Sequence, residues 1–109
     1  MTATHIEGDR MEHERFCLIA DKIEADPSLL CIPLENITRW IERGTHSKNM
    51  LDIWITKIKA AQSSKAGMAA LLTTLRDDSE DIRFLKGFSP FPGVLTKKER
   101  RALPWTSRH

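Results

Sequence analysis

The apolar residues of this chain recur mainly at intervals of three and four positions, which is the period of an amphipathic α-helix. One such stripe runs from Phe16 to Ile23, and Asp9 and Glu12 before it have the spacing of a capping box. The pattern predicts a first helix over about residues 9–25. Residues 1–8 carry no periodic signal and are predicted to form a flexible arm.

A helical hairpin is predicted next. Pro33 suits the first turn of a helix, and Gly44 suits a left-handed terminator, so the first of the two helices spans about residues 33–43. Ser47 or Asn49 caps the second, which extends to about Ala61. The residues predicted to face inward are Leu34, Ile37, Trp40 and Ile41 on the first helix and Leu51, Trp54, Ile55 and Ile58 on the second.

The C-terminal half predicts two or three shorter helices and one irregular segment. A leucine stripe indicates a helix over about residues 65–76, and Gly87 closes a short helix that follows Ser79. The inward candidates of this short helix are Ile82, Phe84 and Leu85. Pro90 and Pro92 exclude helix between Phe88 and Leu95, so this segment, the strap, is expected to lie over the bundle.

A last short helix is predicted from the capping-box pair Thr96 and Glu99, and Pro104 ends it. The fold class is therefore all-α: a compact bundle of five to six short helices, with a Pro/Phe-rich strap before the C-terminal helix. We expect a single domain over residues 9–103 and a tail over 104–109. Its predicted core is Trp40, Trp54, Ile55, Ile58, Leu71, Leu72 and Leu75.

Composition indicates in which cellular compartment this protein is expected. The two cysteines, Cys17 and Cys31, do not form a CxxC pair, and no apolar run approaches the roughly 20 residues that span a bilayer. A reduced, cytoplasmic protein without membrane contact is expected. Charge is uneven, because residues 1–85 hold 11 basic and 14 acidic side chains, whereas residues 86–109 hold six basic ones and Glu99.

The sequence does not support a catalytic function, and no catalytic residue, metal or cofactor is predicted. His13 and Cys17 share a helix face, but two ligands do not make a zinc site. The acidic run 77–81 lacks the alternating ligands of a calcium loop and suits helix capping. Motifs of hydrolases and phosphate-binding loops are absent from the sequence. We expect a protein that is not an enzyme.

Two surfaces are candidates for binding. The basic C-terminal end offers contacts to another protein, since Arg and Trp dominate interface energetics. The candidate partner-binding residues are Lys97, Lys98, Arg100, Arg101 and Trp105. The alternative is nucleic acid, because residues 36–44 resemble the recognition helix of helix-turn-helix repressors and expose Arg39 and Arg43. Acidic residues beside these arginines would repel phosphates, which favours the first interpretation.

Longer segments carry a family resemblance. The segments 26–40, 71–78 and 88–101, together with Trp54, make the chain resemble a group of small bacterial helical proteins to which no activity is attached. The resemblance implies a bacterial origin. The sequence thus favours a protein-interaction module, namely an adaptor, an inhibitor or a regulatory partner of another bacterial protein, and leaves a homodimer open.

Overall fold

The structure is a computed structural model that describes the backbone of residues 2–102 and the side chains of residues 11–102. It is 78% helical, with six α-helices and no strand among these residues, which confirms the all-α class. None of these helices is long and apolar enough to cross a membrane. The helices are α1 (Thr2–Ala25), α2 (Cys31–Arg43), α3 (Lys48–Ser63), α4 (Lys65–Arg76), α5 (Glu80–Lys86) and α6 (Lys97–Arg101), and a 3-10 helix, Pro27–Leu30, leads into α2.

The first helix is longer than the sequence pattern predicts. It begins at Thr2, so residues 2–8, predicted as an arm, are helical. This segment contains no proline, and one glycine costs a helix only about 1 kcal/mol relative to alanine, so a missing apolar stripe does not end the helix. Glu12 accepts a hydrogen bond from Arg15 and lies inside the helix, away from its start.

Two of the predicted helix ends of the hairpin are confirmed, whereas α2 begins at Cys31, two residues before the predicted Pro33, and α3 ends at Ser63 instead of Ala61. Gly44 adopts the left-handed conformation, with φ of 64°, and ends α2. The Ser47 hydroxyl caps α3, and the Ser64 hydroxyl accepts a hydrogen bond of 2.9 Å from the N–H of Gly67 at the start of α4. At Gly67 a Cβ atom would lie 2.0 Å from the carbonyl oxygen of Ala60, so the tight turn between α3 and α4 requires glycine.

The core lies between α1, α3 and α4, and Trp54 is at its centre. The Trp54 side chain is fully buried, its Nε1 donates a hydrogen bond of 3.2 Å to the carbonyl oxygen of Leu85, and its ring meets Phe91 edge-to-face at 5.3 Å. The indole therefore joins α3 to α5 and to the strap. Four other predicted core residues, Ile58, Leu71, Leu72 and Leu75, are also buried.

The predicted inward face of α2 is partly wrong. Trp40 is half-buried and stacks on His46, with ring centroids 4.1 Å apart, and Ile41 is 41% exposed. The helix instead buries Pro33, Asn36 and Ile37. The Asn36 amide donates hydrogen bonds to two carbonyl groups of the strap, which covers this turn of α2, whereas Trp40 lies one turn further along the same side.

Two further residues depart from their predicted places. Ile55, expected in the core, is only partly buried and packs against the core from the side. Phe84 is 67% exposed and packs edge-to-face on Phe88, 5.6 Å away. In α5 the position that turns inward beside Leu85 is Lys86. The seven-residue helix α5 is too short for its apolar pattern to decide which side faces the bundle.

The strap covers one side of the bundle, as predicted. Its residues Pro90, Phe91, Val94 and Leu95 are buried. Asn36 holds it from α2, with hydrogen bonds of 2.9 Å to the carbonyl oxygen of Pro90 and 2.8 Å to that of Pro92. The strap therefore has a defined position, although it has no regular structure. The predicted domain end, Pro104 and the tail 104–109 lie outside the described residues.

Candidate functional site

Hydrogen bonds fix the N-terminal end of the short helix α6. The predicted capping box is present: the Thr96 hydroxyl accepts a hydrogen bond of 3.1 Å from the N–H of Glu99, and the Glu99 carboxylate accepts one of 2.8 Å from the N–H of Thr96. Lys22 of α1 donates to the same carboxylate at 2.7 Å and to the carbonyl oxygen of Val94 at 2.8 Å. The hydrogen bonds from Lys22, which has the largest effect, and from Thr96 lower the pKa of the Glu99 carboxyl.

The cations of α6 face solvent as a consequence. Because Glu99 binds Lys22, the one acidic side chain of this helix is engaged within the fold. The remaining four side chains, here named the α6 basic surface, are exposed: Lys97, Lys98, Arg100 and Arg101. The structure thus brings four of the five predicted partner-binding residues together. Trp105, the fifth, lies outside the described residues.

A recess of about 140 Å³ adjoins the α6 basic surface. Its lining is apolar where α1 meets the strap, and arginines lie at two places along it. We name it the strap recess; the residues that define it are Arg15, Phe16, Ile19, Phe91, Leu95 and Arg100. Sequence reasoning missed this recess, because only the packing of the strap against α1 places Phe91 beside Arg100.

The residues of the nucleic-acid alternative lie on α2. Arg39 and Arg43 are exposed, and Arg39 donates a hydrogen bond to the Oδ1 atom of Asn36. Glu35 and Glu42 are exposed on the same helix. The polar side of α2 therefore carries charges of both signs, unlike the α6 basic surface.

A second cluster of polar side chains lies between α1 and α5. The Nε2 atom of His13 is 3.6 Å from the Sγ atom of Cys17, so the two residues do share a helix face. The Nδ1 atom of His13 is 3.9 Å from Oδ1 of Asp78 and has no hydrogen-bond partner among the described residues. No group of three or more potential metal ligands occurs in the described part of the chain.

The acidic run 77–81 makes hydrogen bonds within the fold. Asp77 Oδ1 accepts a hydrogen bond of 2.7 Å from the N–H of Ser79, just before α5. Asp78 pairs with Arg83 at 3.0 Å, and this hydrogen bond lowers the pKa of the Asp78 carboxyl. The capping prediction is therefore only partly confirmed: Ser79 is the N-cap of α5 and Glu80 and Asp81 lie in its first turn, but no side chain among the described residues makes a capping hydrogen bond to this helix.

Lys86 is the residue of this cluster that the sequence does not reveal. It is only 6% exposed, its Nζ atom donates a hydrogen bond of 2.6 Å to the carbonyl oxygen of Asp77, and it lies 4.9 Å from the centre of the Phe16 ring. Burial lowers its pKa. A lysine before a glycine at a helix end is ordinarily a solvated cation, so no signal in the sequence distinguishes it.

The two cysteines should differ in reactivity. Burial raises the pKa of the Cys17 thiol, whereas Cys31 is exposed. Because the thiolate is the nucleophile, iodoacetamide at neutral pH should alkylate Cys31 faster than Cys17. Mass spectrometry of timed digests gives the alkylation rates of both cysteines, and these two rates should become similar when the protein is denatured in urea. Faster alkylation of Cys17 in the folded protein would contradict the expectation.

No protein-family model, no curated protein and no solved structure matches this chain. The described part of the molecule offers two regions suited to binding. One is the α6 basic surface with the strap recess, and the other is the cavity beside His13 and Lys86.

Proposed function

We propose that this protein is a non-enzymatic interaction module, namely an adaptor, inhibitor or regulatory partner of another bacterial protein. Its α6 basic surface binds an acidic segment of that partner. The observation that carries the proposal is the outward display of four cations on a helix whose one acidic residue, Glu99, binds Lys22. A cytoplasmic location is part of the proposal, and the free thiols of Cys17 and Cys31 suit a reducing compartment.

The attachment of α6 favours binding, because a surface that is ordered beforehand loses less entropy when a partner arrives. The capping box and the Lys22 contacts hold α6 against α1 and the strap. Arg100 belongs both to the α6 basic surface and to the strap recess. An acidic segment with one apolar side chain could thus pair its carboxylates with the cations and place that side chain in the recess.

A charge-reversal experiment tests this placement. We expect the K97E/K98E/R100E variant to bind the partner at least tenfold more weakly, a loss of about 1.4 kcal/mol or more. The variant keeps Glu99 and Lys22, so the attachment of α6 is retained. The tagged protein would first capture partners from a lysate of the producing cells. Calorimetry with the purified partner would then give the dissociation constants.

The matched control is K48E/K59E/K65E, which changes the net charge by the same amount at exposed lysines of α3 and α4. This variant should bind as the original protein does. Equal losses in both variants would mean that net charge alone drives the association. Unchanged binding by the α6 variant would place the interface elsewhere. Either result would contradict the proposal.

Nucleic acid is the alternative partner, because the α6 cations also suit phosphates and α2 contributes Arg39 and Arg43. Fluorescence anisotropy with labelled duplex and single-stranded DNA distinguishes a nucleic-acid partner from a protein partner. Phosphate-driven binding falls steeply as salt rises. Salt-sensitive DNA binding that R39E/R43E abolishes would favour the alternative. We expect no saturable binding at low salt.

A further inference from the structure

We propose that the cavity between α1 and α5 binds a small oxyanion, the carboxylate or phosphate group of a small molecule, with the ammonium group of Lys86 as its principal contact. The cavity has a volume of about 240 Å³. The residues that line it are Glu12, His13, Asp78, Arg83, Lys86 and Gly87. This site is separate from the α6 basic surface and does not depend on the function proposed for it.

The charge of Lys86 is the first observation. Its ammonium group has three N–H donors, and the described residues supply one hydrogen-bond acceptor, the carbonyl oxygen of Asp77. No carboxylate of the described residues forms an ion pair with it, although the side chain is 6% exposed. The Phe16 ring offers partial compensation. Asp77, Asp78 and Glu12 lie close enough to act electrostatically on Lys86, but none of them contacts its ammonium group directly. A buried cation without a directly paired carboxylate is costly, and a bound anion would supply that pairing.

His13 gives the second, independent observation. If the Cys17 thiol donates to Nε2, the proton of the neutral imidazole lies on Nδ1. That Nδ1 atom is buried and has no hydrogen-bond partner among the described residues. His13 and Lys86 line the same cavity. With the proton on Nδ1, the cavity therefore has an N–H of His13 without an acceptor beside an ammonium group that uses one of its three donors.

Two acidic residues also line the cavity, but each is paired with an arginine. Asp78 pairs with Arg83 at 3.0 Å, and Glu12 accepts a hydrogen bond from Arg15. Each of these two carboxylates thus has an arginine as its direct partner and acts on Lys86 only at longer range. The volume suits a single phosphate group or a short carboxylic acid, since pockets for drug-sized ligands begin at about 300 Å³.

Binding of inorganic phosphate, acetate and succinate to the full chain tests the proposal, with isothermal titration calorimetry in chloride buffer. We expect saturable, one-to-one binding at millimolar concentrations of one of these anions. The K86M variant should weaken it at least tenfold, and K59M, which changes an exposed lysine of α3, should leave it unchanged. Comparison of phosphate with the two carboxylates identifies which oxyanion the cavity prefers.

A second variant guards against misfolding of K86M. H13Q changes a less buried residue of the lining and should also weaken binding, and circular dichroism verifies the fold of both variants. Absence of saturable binding by all three anions would overturn the proposal, as would unchanged binding by folded K86M. The K97E/K98E/R100E variant should retain the anion. Loss of the anion there, with retention in K86M, would move the site to α6 and overturn the proposal.

Discussion

Replacement of Trp54 by alanine should lower the free energy of unfolding by about 3–5 kcal/mol, the range for truncation of a buried aromatic residue. The indole is fully buried, so its removal leaves a cavity between α3, α5 and the strap. It also leaves the carbonyl oxygen of Leu85 without the Nε1 donor. Because small domains have only about 5–15 kcal/mol of stability, a large part of the total should be lost.

Urea denaturation followed by far-UV circular dichroism measures this loss. The adjacent Ile53 is 41% exposed on α3 and provides the control. Ile53→Ala should cost under about 1 kcal/mol, because much of its side chain is already in water. Similar denaturation midpoints for the two variants would show that Trp54 does not occupy the centre of the core.

Replacement of Asn36 by alanine should cost about 2–3 kcal/mol, because it removes two hydrogen bonds to the strap. The bond to the carbonyl oxygen of Pro90 is buried, and its loss leaves that oxygen without this donor. The bond to Pro92 is partly exposed and contributes less. The strap should then loosen, which limited proteolysis between Phe88 and Leu95 would detect.

Thr38→Ala is the matched control on α2. The Thr38 hydroxyl is exposed and donates a hydrogen bond of 3.0 Å to the carbonyl oxygen of Leu34, so its loss should change stability by under about 0.5 kcal/mol. If Asn36→Ala were as mild as Thr38→Ala, the strap would be held by its apolar residues alone. The account of why α2 buries Asn36 would then be wrong.

The strap connects these stability predictions with the binding proposal. Phe91 and Leu95 line the strap recess, and the strap leads directly into the capping box of α6. A loosened strap should therefore disturb the position of Arg100. For this reason, we expect Asn36→Ala to weaken binding to the partner without a change in any residue of the α6 basic surface.

Local signals determined most of the helix ends. Gly44 ends α2 through its left-handed conformation, Ser47 caps α3, and Thr96 with Glu99 starts α6, as their sequence positions predict. Each of these features depends on residues within one or two turns, so a single sequence contains the information. The start of α1 was missed because the Asp9 and Glu12 spacing also occurs inside a helix.

Tertiary packing decided which side of each helix is buried. An apolar stripe does not show which turns of a helix its neighbours cover. On α2 the strap, more than 50 positions away, covers Asn36, while Trp40, one turn further along the same side, stays half-buried. The burial of Lys86 and the strap recess likewise depend on elements distant in the chain. The sequence by itself determined the helices and the basic charge of α6. The contacts between helices determined the two regions that we propose for binding, because burial and cavities arise only when separate elements meet.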